Sequence, residues 1–221
     1  MKVVEIFSSI DGEGIRAGLP VTFVRLYGCN LNCSYCDTPY SHLTEEDNAK
    51  EMSIDEIVRA VEYNGIPNVT ITGGEPMIHS NIIELFDELL ERGYYVNVET
   101  NGTYPVPTKY NMGHANAHKI IFTMDYKCPS SGMQEEMSIA NLNTLRCNDV
   151  LKFVVGSVRD MDEAKKVLKM MDACPTVYFS PVFGQINPES IVKYMLCHHL
   201  YDCRIQIQMH KVIWNPNERG V

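Results

Sequence analysis

The chain has 221 residues, 45% hydrophobic and 21% charged, which suits one soluble globular domain spanning 1–221. A net charge of −9 with no dense Lys/Arg run excludes binding to nucleic acid through its phosphates. No apolar stretch approaches the ~18 residues of a membrane helix, and residues 1–7 read as a strand with no visible signal peptide, so a cytoplasmic protein with no membrane partner is expected.

From there strands and helices alternate. A strand is expected over 21–27. Residues 47–51 form a short polar loop and mark no domain boundary. Ser53 and Glu56 have the spacing of a capping box, which starts a helix running to Asn64 and stopping at Gly65 and Pro67. A strand over 69–72 precedes a helix over 82–92 with Ile83, Leu85, Phe86, Leu89 and Leu90 on one face. Strands follow over 94–99, 119–125, 150–155, 176–179 and 204–209, with helices over 161–171 and 187–200, the last capped by Asn187 before Pro188. Residues 103–118, with Pro105 and Pro107, offer no helix, so one crossover is degraded. Strands joined by helical crossovers pair in parallel, and the repetition points to an α/β fold, a partial (β/α) TIM-type barrel. Such barrels carry their sites where strands end. Cys29, Gly73–Pro76, Glu99–Gly102, Asp125–Lys127, Ser180–Pro181 and Gln208–Lys211 all fall there, which places one pocket.

Three of the eight cysteines, Cys29, Cys33 and Cys36, stand in a CxxxCxxC spacing. Thiolates suit iron–sulfur clusters, and a cubane normally takes four. Three leave one iron open, as a catalytic metal requires. A structural zinc knot completed by Cys128 or His42 is the competing reading, although zinc motifs favour paired CxxC units. The other five, Cys128, Cys147, Cys174, Cys197 and Cys203, are scattered and read as small buried apolar filler. In Gly73-Gly74-Glu75-Pro76 the glycines allow close backbone approach to a ligand.

The three-cysteine spacing, with Tyr35 before the last cysteine, resembles the radical S-adenosylmethionine (SAM) signature, in which the open iron holds SAM. Gly73–Pro76 resembles that superfamily's GGEP segment. Residues 9–14, 24–30, 36–38, 99–102, 125–132, 152–154 and 208–211 together resemble the 7-carboxy-7-deazaguanine synthase family, in order and over almost the whole chain. The resemblance implies a lyase of the queuosine and 7-deazapurine pathway. It would contract the ring of 6-carboxy-5,6,7,8-tetrahydropterin with loss of ammonia, using a [4Fe–4S] cluster, SAM and Mg2+. A flavodoxin or ferredoxin would serve as electron donor, and the protein would be a homodimer.

Carried over residue by residue, the resemblance puts Asp11, Gly12, Glu13, Arg25, Thr72 and His210 at the substrate, with Glu13, Arg25 and His210 catalytic. Tyr35, Asp37, Gly74, Glu75, Glu99, Lys127, Ser130, Ser180 and Phe183 fall to the cofactor, and Thr38 joins Cys29, Cys33 and Cys36 as a metal ligand. The chemistry suits these residue types: a carboxylate such as Glu13 pairs with a pterin's guanidine-like edge, and Arg25 offers a carboxylate two parallel donors. Structural alternatives stand beside them: Arg25 as a charge fixed on a buried strand, His210 as a satisfied core histidine, Thr38 as a turn hydroxyl. Two departures from the family pattern are visible. Asp11 stands where much of the family has Gln, and 217–221 extend past Pro216, whose terminal carboxylate reaches the substrate in some members; Glu218 or Val221 is the expected replacement. A glycyl-radical activase and a non-catalytic iron–sulfur carrier are the rival functions, separated by turnover of the small pterin and by SAM cleavage.

Overall fold

A computed structural model describes residues 1–42, 49–111 and 113–221. Strand β1 (Lys2–Ile10) pairs antiparallel with β2 (Pro20–Leu26), and short β3 (Lys50–Glu51) adds antiparallel to the outer edge of β1. Asp47 and Asn48 of the expected polar loop lie outside the described residues. Helix α1 (Ile54–Asn64) then leads to β4 (Asn68–Gly73), α2 (Ile82–Glu91) to β5 (Tyr95–Thr100), and an irregular crossover to β6 (Ile120–Lys127). After the single turn α3 (Ile139–Leu142) come β7 (Val150–Val155), α4 (Val158–Met170), β8 (Thr176–Pro181), α5 (Pro188–Cys197), β9 (Cys203–Ile205) and the short α6 (His210–Ile213). From β2 through β9 all pairing is parallel, in the order β3-β1-β2-β4-β5-β6-β7-β8-β9. The α/β, partial-barrel expectation holds, with an antiparallel start.

Local chemistry sets the helix ends. The Ser53–Glu56 capping box forms, and Gly65 terminates α1 in the left-handed region at φ 67. A second box, Ser157 with Asp160, starts α4 three residues before the expected position. On α2 it is Ile82 that is fully packed, with Ile83 only partly buried. The last strand stops at Ile205, well short of Met209.

Among the described residues of 103–118 there is no α-helix, and aromatic packing covers the sheet instead. Buried Tyr110 meets Phe86 and Phe122 at ring-centroid distances of 6.3 and 6.2 Å, and its hydroxyl donates to Asp87 at 3.0 Å. Aromatic pairs at such separations contribute beyond the area they bury.

Alternation along the strands separates two environments. Val69, Ile71, Val96, Val98, Phe122, Met124, Leu151 and Phe153 pack outward against α1, α2 and α4. Their neighbours Thr70, Thr72, Asn97, Glu99, Thr123, Asp125, Lys127 and Lys152 face inward. The interior of a complete barrel is normally filled by Val, Ile and Leu. Here it is polar, so packing energy lies on the helix side and the lumen is left for chemistry.

The cysteine expectation needs correction. Cys128 is buried and Cys203 partly so, but Cys147, Cys174 and Cys197 are exposed. They sit in loops or on a solvent-facing helix flank, where no core exists for them to fill.

Candidate active site

The loop after β2 carries the three thiols, all half-exposed. It is held from several sides. Gly28 N–H donates to Ser41 O at 2.8 Å, Ser34 N–H to Ser131 O at 2.9 Å, and the Ser34 hydroxyl to Ser130 O at 2.6 Å. The Leu31 amide and the Asn101 side chain both donate to Cys29 Sγ, at 3.4 and 3.8 Å, as suits a sulfur that carries charge. Burial pushes the Cys33 and Cys36 thiols up, while the Lys127 ammonium pulls the other way. Among the described residues no three such groups close to single-ion spacing, and a cubane spreads its thiolates over separate irons. Cys128 offers no fourth ligand, being enclosed with its thiol on Asp160 O. The donor set therefore fits a three-thiolate [4Fe–4S] cluster.

The Gly73–Gly74 turn packs on this loop. A Cβ on Gly74 would lie 2.0 Å from Gly28 O and 2.8 Å from Cys29 Cβ; one on Gly73, at φ +143, would strike Leu26 O at 2.1 Å. The close approach is thus made to the cysteine loop itself. Glu75 is fully enclosed: Oε1 accepts from Thr100 Oγ1 and Met77 N–H, and Oε2 from Asn101 N–H at 2.6 Å. It braces the turn against β5, so any effect on a cofactor passes through that loop. On the other flank, buried Asp160 accepts from the amides of Ser130, Gly156 and Ser157, fixing the Ser130 turn beside Ser34.

Beneath the thiols runs a chain of charge. Ser180 Oγ donates to Glu13 Oε1 at 2.9 Å, and Lys152 Nζ lies 2.9 Å from Glu13 Oε2 and 3.1 Å from Asp125 Oδ1. Asp125 Oδ2 in turn lies 2.7 Å from Lys127 Nζ. Burial would raise the Asp125 carboxyl, but Lys127 and Lys152 outweigh it and hold it below the ordinary range. Burial would likewise lower the Lys152 ammonium, and Asp125 and Glu13 hold it well above its usual value. Glu99, deprived of water, is pushed up to about 7, against the pull of Lys152 and a hydrogen bond with Thr72. Sequence reasoning put Asp125 at the pocket without giving it a role, and did not place Lys152 there. The available signal was a lone charge within the otherwise apolar strand β7.

The remaining expected residues line the same mouth. Asp11 is buried, accepts from Thr70 Oγ1 at 2.6 Å and pairs with Arg16 Nε at 3.3 Å; its Oδ2 has no hydrogen-bond donor. His210 Nδ1 stands so close to Gly12 that a Cβ there would come within 2.6 Å, and burial lowers the imidazole's pKa. Arg25 lies beside Thr72 in register, but its Nε is engaged by Glu5 Oε1 at 2.7 Å, with the guanidinium over Phe7 and Tyr40. The expected free clamp is therefore already half neutralised by β1. Arg219, in the segment past Pro216, stacks on Tyr40 at 3.8 Å. The extension thus brings a cation beside Arg25, where Glu218 or Val221 was expected to bring a carboxylate. Tyr35 reaches across to Val154 O at 3.4 Å, Thr38 Oγ1 donates to Asp37 at 3.0 Å, and Phe183 stands 58% exposed at the rim.

Comparison with known proteins agrees with this geometry. The profile of the Radical SAM superfamily matches residues 23–111. A 7-carboxy-7-deazaguanine synthase of Clostridium acetobutylicum is 43% identical over 225 residues, covering 100% of this chain and 99% of the relative. One from Chlorobaculum tepidum is 40% identical, covering 100% and 97%. Among solved structures, QueE from Escherichia coli superposes with a TM-score of 0.75 at 23% identity, over 95% of this chain and 94% of that one.

Proposed function

We propose, for a chain that belongs to the 7-carboxy-7-deazaguanine synthase family of radical SAM enzymes, that it converts 6-carboxy-5,6,7,8-tetrahydropterin to 7-carboxy-7-deazaguanine with loss of ammonia, in queuosine and 7-deazapurine biosynthesis. The observation that carries this reading is the charged lumen directly under a three-thiol loop: Glu13, Lys152, Asp125 and Lys127 in one connected chain.

Cys29, Cys33 and Cys36 would hold the cluster, with Tyr35, Asp37, Gly74, Ser130, Ser180 and Phe183 around SAM, Glu99 and Lys127 on the lumen side, and Glu75 acting through its loop. Bound there, cluster and SAM supply the one-electron chemistry that opens the reaction. The chain's own residues do the rest. Glu13 spends one acceptor site of each oxygen on Ser180 and Lys152, and a carboxylate has about four. Two remain for the parallel N–H groups of a pterin edge. Arg25 keeps its terminal nitrogens for the pterin carboxylate while Glu5 fixes its orientation through Nε. Asp11 Oδ2, ion-paired with Arg16 at 3.3 Å but accepting no formed hydrogen bond, suits a further ring N–H. His210, its pKa lowered by burial, can accept a proton beside Gly12. Thr38 would supply one oxygen ligand of the kind Mg2+ prefers, together with waters and substrate.

The half-exposed thiol loop leaves an approach for a flavodoxin or ferredoxin, and the homodimer rests on the family resemblance. Among the described residues no helix is long and apolar enough to cross a membrane, and a cytoplasmic site belongs to the same reading. The test is anaerobic turnover with reconstituted cluster, SAM, reductant and carboxypterin. Formation of 7-carboxy-7-deazaguanine is expected; SAM cleavage without it would reject the substrate.

A further inference from the structure

Cys147 and Cys174 come from different loops, yet their sulfurs lie 2.8 Å apart at the exposed surface. Cys147 precedes β7 and Cys174 precedes β8, so the pair sits at the N-terminal ends of the strands, opposite the thiol loop that follows β2. Hydrogen bonds hold the two loops together independently of the thiols. Asn143 Oδ1 accepts from the amides of Asp172 and Ala173 at 2.9 and 3.3 Å. Thr176 N–H donates to Asp149 O at 3.0 Å, where Val150 pairs with Thr176 in the sheet.

We propose that Cys147 and Cys174 form a reversible intramolecular disulfide, a redox modification site remote from the cluster. The sulfurs need to close by only about 0.8 Å to reach the ~2.0 Å of a disulfide, and both lie on surface loops. The co-reactant is a low-molecular-weight disulfide such as oxidised glutathione. One cysteine thiolate attacks its S–S bond and releases one glutathione thiolate, leaving a mixed disulfide on the protein. The second cysteine then attacks the protein sulfur and expels the other glutathione thiolate. The two cysteines lose two electrons and two protons, and the oxidant leaves as two reduced thiols. The bond closes 147–174 into a ring holding all of β7 and α4. That unit carries Lys152, the Val154 carbonyl that receives Tyr35, and Asp160. A link at its foot restricts the unfolded chain without touching the lumen.

The test uses anaerobic holoenzyme equilibrated with oxidised and reduced glutathione in a series of ratios, then alkylated and mapped without reduction. The expected result is a linked Cys147–Cys174 peptide pair rising as one two-electron transition, with exposed Cys197 unlinked and iron content unchanged. The melting temperature should rise by about 4–12 °C on oxidation. That rise should be absent in Cys147→Ser and Cys174→Ser, both of which should keep wild-type turnover. Independent alkylation of both cysteines at every ratio would overturn the proposal. So would stable glutathione adducts on each without the linked pair, or a link found only between two molecules.

Discussion

Replacing Lys152 with Met would keep most of the side-chain volume on β7 while removing the cation that Glu13 and Asp125 share, at 2.9 and 3.1 Å. Removing one partner of a buried ion pair costs about 3–5 kcal/mol, because the remaining charge is stranded. Asp125 retains Lys127 and Glu13 retains the Ser180 hydroxyl, so the lower end, about 3 kcal/mol near pH 8, is expected. For a chain of this size that is a melting temperature lower by about 6–12 °C. The loss should depend on pH. Burial already pushes Glu99 up to about 7 while Lys152 pulls it down, so without Lys152 it rises further. The folded variant then binds more protons than its unfolded chain between the unfolded carboxyl value of 4.5 and the raised folded one. Stability falls as pH rises through that window, so the variant's deficit should shrink on going from about pH 8 to about pH 6. Thermal unfolding of both proteins at the two pH values decides it. An equal deficit at both would mean lost packing alone, and an unchanged melting temperature at pH 8 would refute the charge network.

Cys33→Ala should lose the iron–sulfur absorbance and SAM cleavage, whereas Cys147→Ala keeps both; loss in both variants would reassign the ligands. Gly74→Ala, whose Cβ meets Gly28 O at 2.0 Å, should fold but load little iron, and wild-type iron content would show that the loop can yield. Arg25→Lys should keep the pairing to Glu5 and lose the planar donor fork, raising KM for the carboxypterin roughly tenfold with SAM binding unchanged; an unchanged KM would make Arg25 a brace for β1. Thr38→Ala should lower turnover and shift its Mg2+ dependence with the cluster spectrum intact, and identical Mg2+ titrations would remove Thr38 from the metal site.

Much of this was legible locally. The period of two in β4 to β7, the Ser53–Glu56 box and the cysteine spacing each depend on residues close in sequence. What escaped depended on distant partners. Arg25 announces itself as a charge on a strand, but Glu5, which holds it, lies across the β1–β2 pairing. Lys152 gains its place from Glu13, which enters from a loop near the N-terminus. The described residues of 103–118 lack a helix as expected, yet nothing local indicates that Tyr110 would cover the sheet in its stead. The exposure of Cys147 and Cys174 followed from where loops end, which composition does not encode. The missed start of α4 is different, since Ser157 and Asp160 had the spacing of a cap.

The two faces of the strands also set what kinds of change the sheet can absorb. Exchanging one outward residue of β6, such as Met124, alters packing and leaves Asp125 where it is. Deleting one residue near Ile120 would keep the strand's composition and reverse its phase. Thr123, Asp125 and Lys127 would then turn toward the helices, and Phe122, Met124 and Tyr126 toward the lumen. Length variation is therefore confined to the loops at the strand ends. Within a strand, letters can be replaced but the reading frame of the two faces cannot slip.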